Sequence, residues 1–306
     1  MALMLYDVLI PGNYFCDVIF TDIGQFPALG TEIYTGGLTV TTGGVMNTVI
    51  ALRRLGVNVG WVGQVGDDFF SQFVMAEAQR EGLDTSLIQR VPRPLQRLTV
   101  ALSYPQDRAF VTYVDPAPTS VEMLAAAAES AQFRHAHFTG LQLDPQTPAL
   151  LRRLRARGIS ISMDCQHRPV SVDEPLVQEV LGLVDIFMPN RAEAALLTGE
   201  DDLHAAARRF LALVPTLVIK DGGGGAYGWH NGQHLHAGAI AVDVRDTTGA
   251  GDVFNAGFLA ARLAGHDFET CLRWGNVCGG LSTQGYGGTQ TAPTLAELQA
   301  RLAAAP

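Results

Sequence analysis

Short apolar runs rich in Val and Ile alternate with segments of helical periodicity along most of the 306 residues, and this alternation predicts a parallel sheet covered by helices on both faces. The strand candidates are Asp7–Ile10, Val59–Val65, Ala136–Phe138, Ser160–Met163, Ile186–Met188 and Thr216–Lys220. Helical spacing covers Val45–Arg54, Phe69–Glu81, Thr147–Arg157, Pro175–Leu183, Arg191–Leu197 and Leu203–Leu211. The fold class that follows is α/β: a three-layer α/β/α, doubly wound, mostly parallel sheet. Two stretches, residues 14–40 and 95–114, break the rhythm. Their period-two alternation, as in Leu98, Val100, Leu102 and Phe110, Thr112, Val114, predicts antiparallel ribbons forming a small β-rich lid. The length suits one domain, residues 1–306, with the lid as its appendage.

The sharpest local signal is Asp246–Asp252, DTTGAGD. The apolar run Ala239–Val244 before it reads as a strand, and Val253–Ala260 after it as a buried helix. A helix opened by Gly249, Ala250 and Gly251 presents unpaired backbone N–H groups and the positive end of its dipole. Its small side chains let an anion come close. Asp252, directly after that cradle, is a proton acceptor beside a bound anion; the plainer reading is a charge that balances the dipole. Cradle and adjoining base together predict phosphoryl transfer.

Upstream, Gly43–Asn47 reads GGVMN and enters a helix. Two glycines let a ligand reach the backbone, and Asn47 brings both a donor and an acceptor, which suits a hydroxyl-rich molecule. Asp17 follows the first strand, where a carboxylate accepts hydrogen bonds from a polyol. Each alone also reads as a turn or a cap. In this order the motifs resemble the ribokinase-like sugar kinases of the PfkB family: Asp17, the GGxxN turn, GQVGDDFFSQ at Gly63–Gln72, then DTTGAGD running into an aromatic residue and a small-residue helix. The resemblance spans Gly12–Ser282 and implies an ATP-dependent carbohydrate kinase of ribokinase-like fold. It implies that Asp17, Gly43, Gly44 and Asn47 hold the phosphoryl acceptor, that Gly249, Ala250 and Gly251 form the anion hole, and that Asp252 is the general base.

The same resemblance assigns further residues. In MDCQHRP (Met163–Pro169), Asp164 and Arg168 look like the family's DxNxR element near the substrate and phosphates, with Gln166 where Asn is usual; a salt bridge at the sheet edge explains the pair equally well. In PNRAE, Asn190 and Glu193 make a capping box or, by resemblance, the NxxE element, with Glu193 acting on Mg²⁺ through water. Lys220, Gly222 and Gly225 in VIKDGGGGA resemble a nucleotide loop that is not a Walker A motif. Asn276 and Gly279 lie in a small-residue helical stretch, Trp274–Thr283, that would admit adenine. Relatives use a monovalent cation beside the anion hole, which implies Asp246 and Thr248 as potassium ligands; an Asx turn is the alternative for Asp246. The lid arginines Arg97 and Arg108 read as a solvated ribbon edge or as contacts to an anionic substrate group, and Gly285–Gly288 as a turn closing the nucleotide pocket. His135 with His137, and His234 with His236, have the same-face spacing of a strand but no evident third metal ligand.

Composition narrows the partners. A net charge of −9 excludes a nucleic-acid surface, which needs clustered Lys and Arg. The four cysteines form no CxxC pair, no basic leader opens the chain, and no apolar run approaches eighteen residues, so the expectation is a cytoplasmic protein with no membrane partner. The expected partners are ATP, Mg²⁺ and an unphosphorylated sugar or sugar acid of the ribose, fructose or 2-keto-3-deoxygluconate type, with a homodimer formed through an exposed lid ribbon. A nucleoside kinase, with Tyr14, Phe15, Tyr104 and Phe110 stacking on a base, is the alternative; a catalytically silent sugar-binding protein is a third.

Overall fold

Apolar strands buried on both faces need two helical layers, and the chain supplies them in alternation. The computed structural model describes residues 5–104 and 108–304. In chain order the elements are β1 (Leu5–Pro11), β2 (Tyr14–Thr21), β3 (Gly37–Gly44), α1 (Val45–Arg54), β4 (Val59–Val65), α2 (Phe69–Arg80), β5 (Ile88–Arg90), β6 (Arg97–Ser103) and β7 (Arg108–Val114). They continue with α3 (Ser120–Ala127), β8 (Gln132–Phe138), α4 (Thr147–Ala156), β9 (Ser160–Met163), α5 (Pro175–Leu181), β10 (Ile186–Phe187), α6 (Arg191–Thr198), α7 (Leu203–Leu211) and β11 (Thr216–Lys220). The last are β12 (Ala226–His230), β13 (Gln233–Ala237), α8 (Ala250–Leu263), α9 (Phe268–Ser282) and α10 (Leu295–Ala304).

The large sheet runs β13-β12-β11-β10-β9-β8-β1-β4-β5. Strands β5 through β11 pair in parallel, with Val8 of β1 opposite Val59 of β4 and His135 of β8. The hairpin β12–β13 adds an antiparallel edge. The chain starts at β1 and winds first toward β5, then back toward β11, so the switch in direction lies beside β1, where ligands collect in open α/β sheets. One core cluster packs α1, α2, α8, α9 and α10 on one face, with Trp61, Phe258 and Leu272 fully buried. The other packs α3 to α7 on the opposite face around Phe138, Phe187 and Phe210. The three-layer, mostly parallel expectation holds.

A separate four-stranded sheet, β3-β2-β6-β7, forms the lid. Both of its hairpins are antiparallel, as their alternation predicts, and the two are joined through a parallel β2–β6 pair. Strand β3 runs on to Gly44, so Gly43 and Gly44 close a lid strand and open α1 directly; there is no separate GGVMN turn. A second correction concerns Ala239–Val244, which forms no strand and joins no sheet. Its apolar side chains are used on a cavity wall and against α9, where Ile240 packs on Gly280.

His135 and His137 are buried in β8 and bonded to serine hydroxyls, His135 to Ser160 and Ser162 and His137 to Ser162. Burial pushes both imidazoles down to about 3, so they are neutral core residues. His234 and His236 lie on β13, stacked on Trp229 and Tyr227.

Candidate active site

Helix α8 opens at Gly249, whose φ of 71° is left-handed. A Cβ there would lie 2.6 Å from the Gly288 backbone and 2.8 Å from Asn47 Nδ2, so the position demands glycine twice over. The backbone N–H groups of Gly249 and Gly251 have no partner among the described residues, whereas Ala250 N–H already bonds Thr247 O at 3.2 Å. The cradle therefore differs from the expectation in one member, because the turn consumes the Ala250 donor.

Asp252, one residue further on, lines a cavity of about 450 Å³ and accepts a 3.0 Å hydrogen bond from Asn47 Nδ2. Burial pushes its carboxyl up to about 7; the Asn47 bond opposes the rise, the charge of Asp164 adds to it and Lys220 offsets it. That value suits a group that must take a proton near neutral pH. The Asn47 bond also joins the acid to the first turn of α1, directly after β3, so Asp252 belongs to a cleft and not to packed hydrocarbon.

The residues that the resemblance assigns to the acceptor gather at the lid root. Asp17 on β2 is buried, and burial raises its carboxyl to about 6, an effect that the Thr99 hydroxyl opposes. A Cβ on Gly43 would fall 1.9 Å from Asp17 Oδ2, so only glycine lets β3 run beside that carboxylate. The Oδ1 atoms of Asn13 and Asn47 are buried without a hydrogen-bond partner among the described residues. Buried acceptors without a partner call for O–H or N–H donors.

Asp164 stands in the cavity, not with Asp17: its Oδ2 receives Lys220 Nζ at 2.7 Å and Asn255 Nδ2 at 2.6 Å. Its ion-pair partner is Lys220, and Arg168 is exposed on the following loop. Lys220 ends β11, and a Cβ added to Gly251 would come 3.4 Å from Nζ, which puts the ammonium against the first turn of α8. Asn190 and Glu193 complete a reciprocal capping box at the start of α6 while lining the same cavity, and burial raises the Glu193 carboxyl, helped by the Asp164 charge. Gly222 and Gly225 bracket a 3₁₀ turn between β11 and β12 and form one wall. Asn276 also lines the cavity, and its Nδ2 holds the Ala237 and Gly238 carbonyls. At Gly279 a Cβ would lie 3.0 Å from Ala250 O, so this glycine sets the close approach of α8 and α9.

Three features escaped the sequence reading. Asn255, one turn after Asp252, ties Lys220 to Asp164; its i+3 spacing on the same helix was the available signal. The Gly285–Gly288 stretch packs on Asn47, Gly249 and Thr41 of the lid and is absent from the cavity lining, which corrects its reading as a nucleotide-pocket turn. Neither lid arginine is a solvated edge. Arg97 is fully buried over the Tyr14 ring, and Arg108 reaches Asp246, Thr247 and Thr248. Asp246 itself makes the Asx turn, accepting Thr248 N–H at 2.9 Å.

A half-buried acid beside a glycine-opened helix, set between a mostly parallel sheet and a β lid, is the arrangement of a phosphotransferase of the ribokinase fold. The chain belongs to the pfkB family of carbohydrate kinases, whose profile matches residues 17–295. It is 30% identical over 283 residues to a 2-dehydro-3-deoxygluconokinase of Bacillus subtilis (strain 168), covering 86% of each chain. Among solved structures it is similar to a putative ribokinase II from E. coli, at a TM-score of 0.83 in the apo form and 0.78 in complex with ATP and Mg²⁺, at 24% identity and covering 97% of this chain and 99% of that one. It also resembles an Arabidopsis thaliana ribokinase complexed with ribose and ATP, at a TM-score of 0.80 and 20% identity, covering 98% of this chain and 99% of that one. Among the described residues no helix is long and apolar enough to cross a membrane.

Proposed function

We propose that this chain, as one kinase domain with the small sheet as its lid, transfers the γ-phosphoryl group of ATP to a hydroxyl of an unphosphorylated small sugar or sugar acid. The observation that carries the reading is the Asn47–Asp252 hydrogen bond, because it ties the base to the acceptor side while Asp252 also lines the nucleotide-sized cavity. The acceptor binds against Asp17, the Gly43–Gly44 strand end and Asn47, and Asp252 takes the proton of the attacking hydroxyl. The γ-phosphoryl group lies against the Gly249–Gly251 turn, with Lys220 adding positive charge beneath it. The cavity volume falls in the range of small-molecule sites, with Gly222, Gly225, Asn276 and Gly279 on the nucleotide side.

A divalent ion fits this cavity. Glu193, Asp164 and Asn190 offer oxygen donors, and the two carboxylates face one ammonium, a surplus of negative charge that favours Mg²⁺. Glu193 would hold the ion through water; the ion, when bound, neutralises phosphate charge.

Tyr14 is unavailable to a nucleobase, since its hydroxyl bonds Ser71 and Leu95 O in the core and its ring meets Trp61 edge-on. This favours a small sugar over a nucleoside. The deciding experiment follows ADP release with ribose, fructose, 2-dehydro-3-deoxygluconate, 5-dehydro-2-deoxygluconate and a set of nucleosides. Turnover with one sugar is expected; turnover with nucleosides alone, or binding without ADP release, overturns the reading.

The four buried, unpaired cysteines suit a reducing cytoplasm. The lid offers a partner surface: Val111 and Tyr113 are 67% and 56% exposed on β7, with Leu38 and Val40 exposed on β3. A second copy meeting lid to lid would cover it. Light scattering is expected to return about twice the 32.7 kDa chain mass, and Val111→Asp with Tyr113→Asp to return the monomer. A monomeric wild type at assay concentration removes the dimer.

A further inference from the structure

Arg108 stands at the start of lid strand β7, yet its guanidinium lies in the loop that feeds the anion cradle. Nη1 is 2.6 Å from Asp246 Oδ1 and also bonds Thr248 Oγ1, and Nη2 donates to Thr247 Oγ1 at 2.9 Å. Asp246 is 6% exposed, so its charge needs compensation inside the protein. Its Oδ1 also accepts Thr248 N–H at 2.9 Å and the Thr248 hydroxyl at 2.7 Å, and its Oδ2 accepts Gly287 N–H at 2.8 Å. Three of those donors saturate Oδ1, and the fourth takes one of the two lone pairs of Oδ2. A potassium ion needs several oxygen lone pairs turned toward it, and here those of Asp246 Oδ1 are turned toward N–H and O–H groups while the Thr248 hydroxyl is held between Arg108 and Asp246. It would also meet a guanidinium of like charge. The residues that the family resemblance implies as potassium ligands therefore do not fit a monovalent cation in this chain.

We infer that the guanidinium of Arg108 does the work of that cation, and that phosphoryl transfer by this protein is independent of potassium. The inference rests on the kinase reading. Thr248 directly precedes Gly249, so a guanidinium clasping Asp246, Thr247 and Thr248 fixes the turn that aims the cradle N–H groups and adds positive charge behind them. Unlike a diffusible ion, this charge travels with the lid. When β7 lifts, the loop loses its cation, so the cradle is fully formed only under a closed lid. Arg108 is thereby a positioning residue that couples lid closure to the anion hole.

The test compares wild type, Arg108→Ala and Arg108→Lys in equal concentrations of potassium chloride and tetramethylammonium chloride, by turnover with whichever acceptor of the panel above wild type phosphorylates and by thermal melting without ligand. Wild type is expected to show the same kcat and the same Tm in both salts. Arg108→Ala is expected to lose about 10- to 100-fold in kcat, the range seen when a group supporting a charged site is removed, with a smaller change in KM for the sugar. Potassium or methylguanidinium should restore part of that rate, and potassium alone should raise the Tm of this variant; Arg108→Lys should fall between the two. A wild type that potassium activates several-fold, or an Arg108→Ala enzyme with unchanged kcat, overturns the inference. So does a rate loss that neither cation restores, which would leave Arg108 as a lid anchor only. Absence of ADP release by wild type with every acceptor sinks the kinase reading instead, and the melting comparison still decides the cation question by itself.

Discussion

Asp252→Asn is expected to lower kcat by two to four decades while KM for sugar and ATP stays near wild type, because a general base contributes about 10²–10⁴-fold and the amide keeps the shape of the acid. The amide oxygen still accepts from Asn47, so the cleft is preserved. The variant should also be more stable than wild type in alkaline solution. The folded-state carboxyl is raised from 3.8 to about 7 by burial, so the folded protein holds a proton that the unfolded chain has released. That contribution is fully present below pH 3.8 and lost as pH rises through about 7. Above neutrality the desolvated charge disfavours the fold, and asparagine carries no such penalty. Melting curves at pH 8 and pH 4 should therefore show a higher Tm for the variant only at pH 8, and kcat/KM of wild type should climb as pH rises through about 7. Near-normal turnover of Asp252→Asn would remove this acid from the chemistry; a Tm difference of equal size at both pH values would remove the buried charge from the stability argument.

That an acid with this character sits behind a glycine turn was legible in the sequence because all of its determinants are local. The turn, the first helical residues and the acid fall within seven consecutive positions. The central strands were legible for a related reason: β4, β9 and β11 each carry a short run of Val, Ile, Leu, Met or Trp with few polar interruptions, and their observed bounds are those the pattern predicts. Edges were not. Strand β5 has only three residues, two of them polar, and β13 reads QHLHA, so neither carries the apolar run that marks a buried strand. Ala239–Val244 fails in the opposite sense, since its apolarity serves a cavity wall and α9 instead of a sheet. Long-range contacts left no trace in any window. Arg108 and Asp246 are 138 positions apart, and Lys220 and Asp164 are 56 apart. Spacing therefore identified the chemical groups but not their pairing: the sequence offers Arg168 as a salt-bridge partner for Asp164, whereas the ion pair is with Lys220.

Lys220→Met should produce the largest stability loss of the site residues. Lys220 and Asp164 are 10% and 8% exposed in their side chains, and the 2.7 Å ion pair is closed into a triangle by Asn255, which donates to Asp164 and accepts from Lys220 at 3.3 Å. Removing one partner of such a pair leaves a buried charge uncompensated, a loss of about 3–5 kcal/mol. In Lys220→Met the stranded Asp164 keeps only neutral donors, Asn255 and the Cys165 N–H. The double variant Lys220→Met with Asp164→Asn removes both charges, so most of the stability should return and the two losses should be strongly non-additive in chemical denaturation. Activity should not return with it. The ammonium lies against the Gly251 turn, where the proposed reading puts the transferring group, and among the described residues no other group in the cavity lining is cationic. Lys220 also holds the Asp252 carboxyl down against the push of burial, so any residual activity of Lys220→Met should rise at a higher pH than that of wild type. Additive losses in the double variant would mean that the pair is not coupled. Recovery of turnover along with stability would reduce Lys220 to a counter-ion for Asp164 and leave the transferring phosphoryl group to the backbone N–H groups of α8 and a divalent ion.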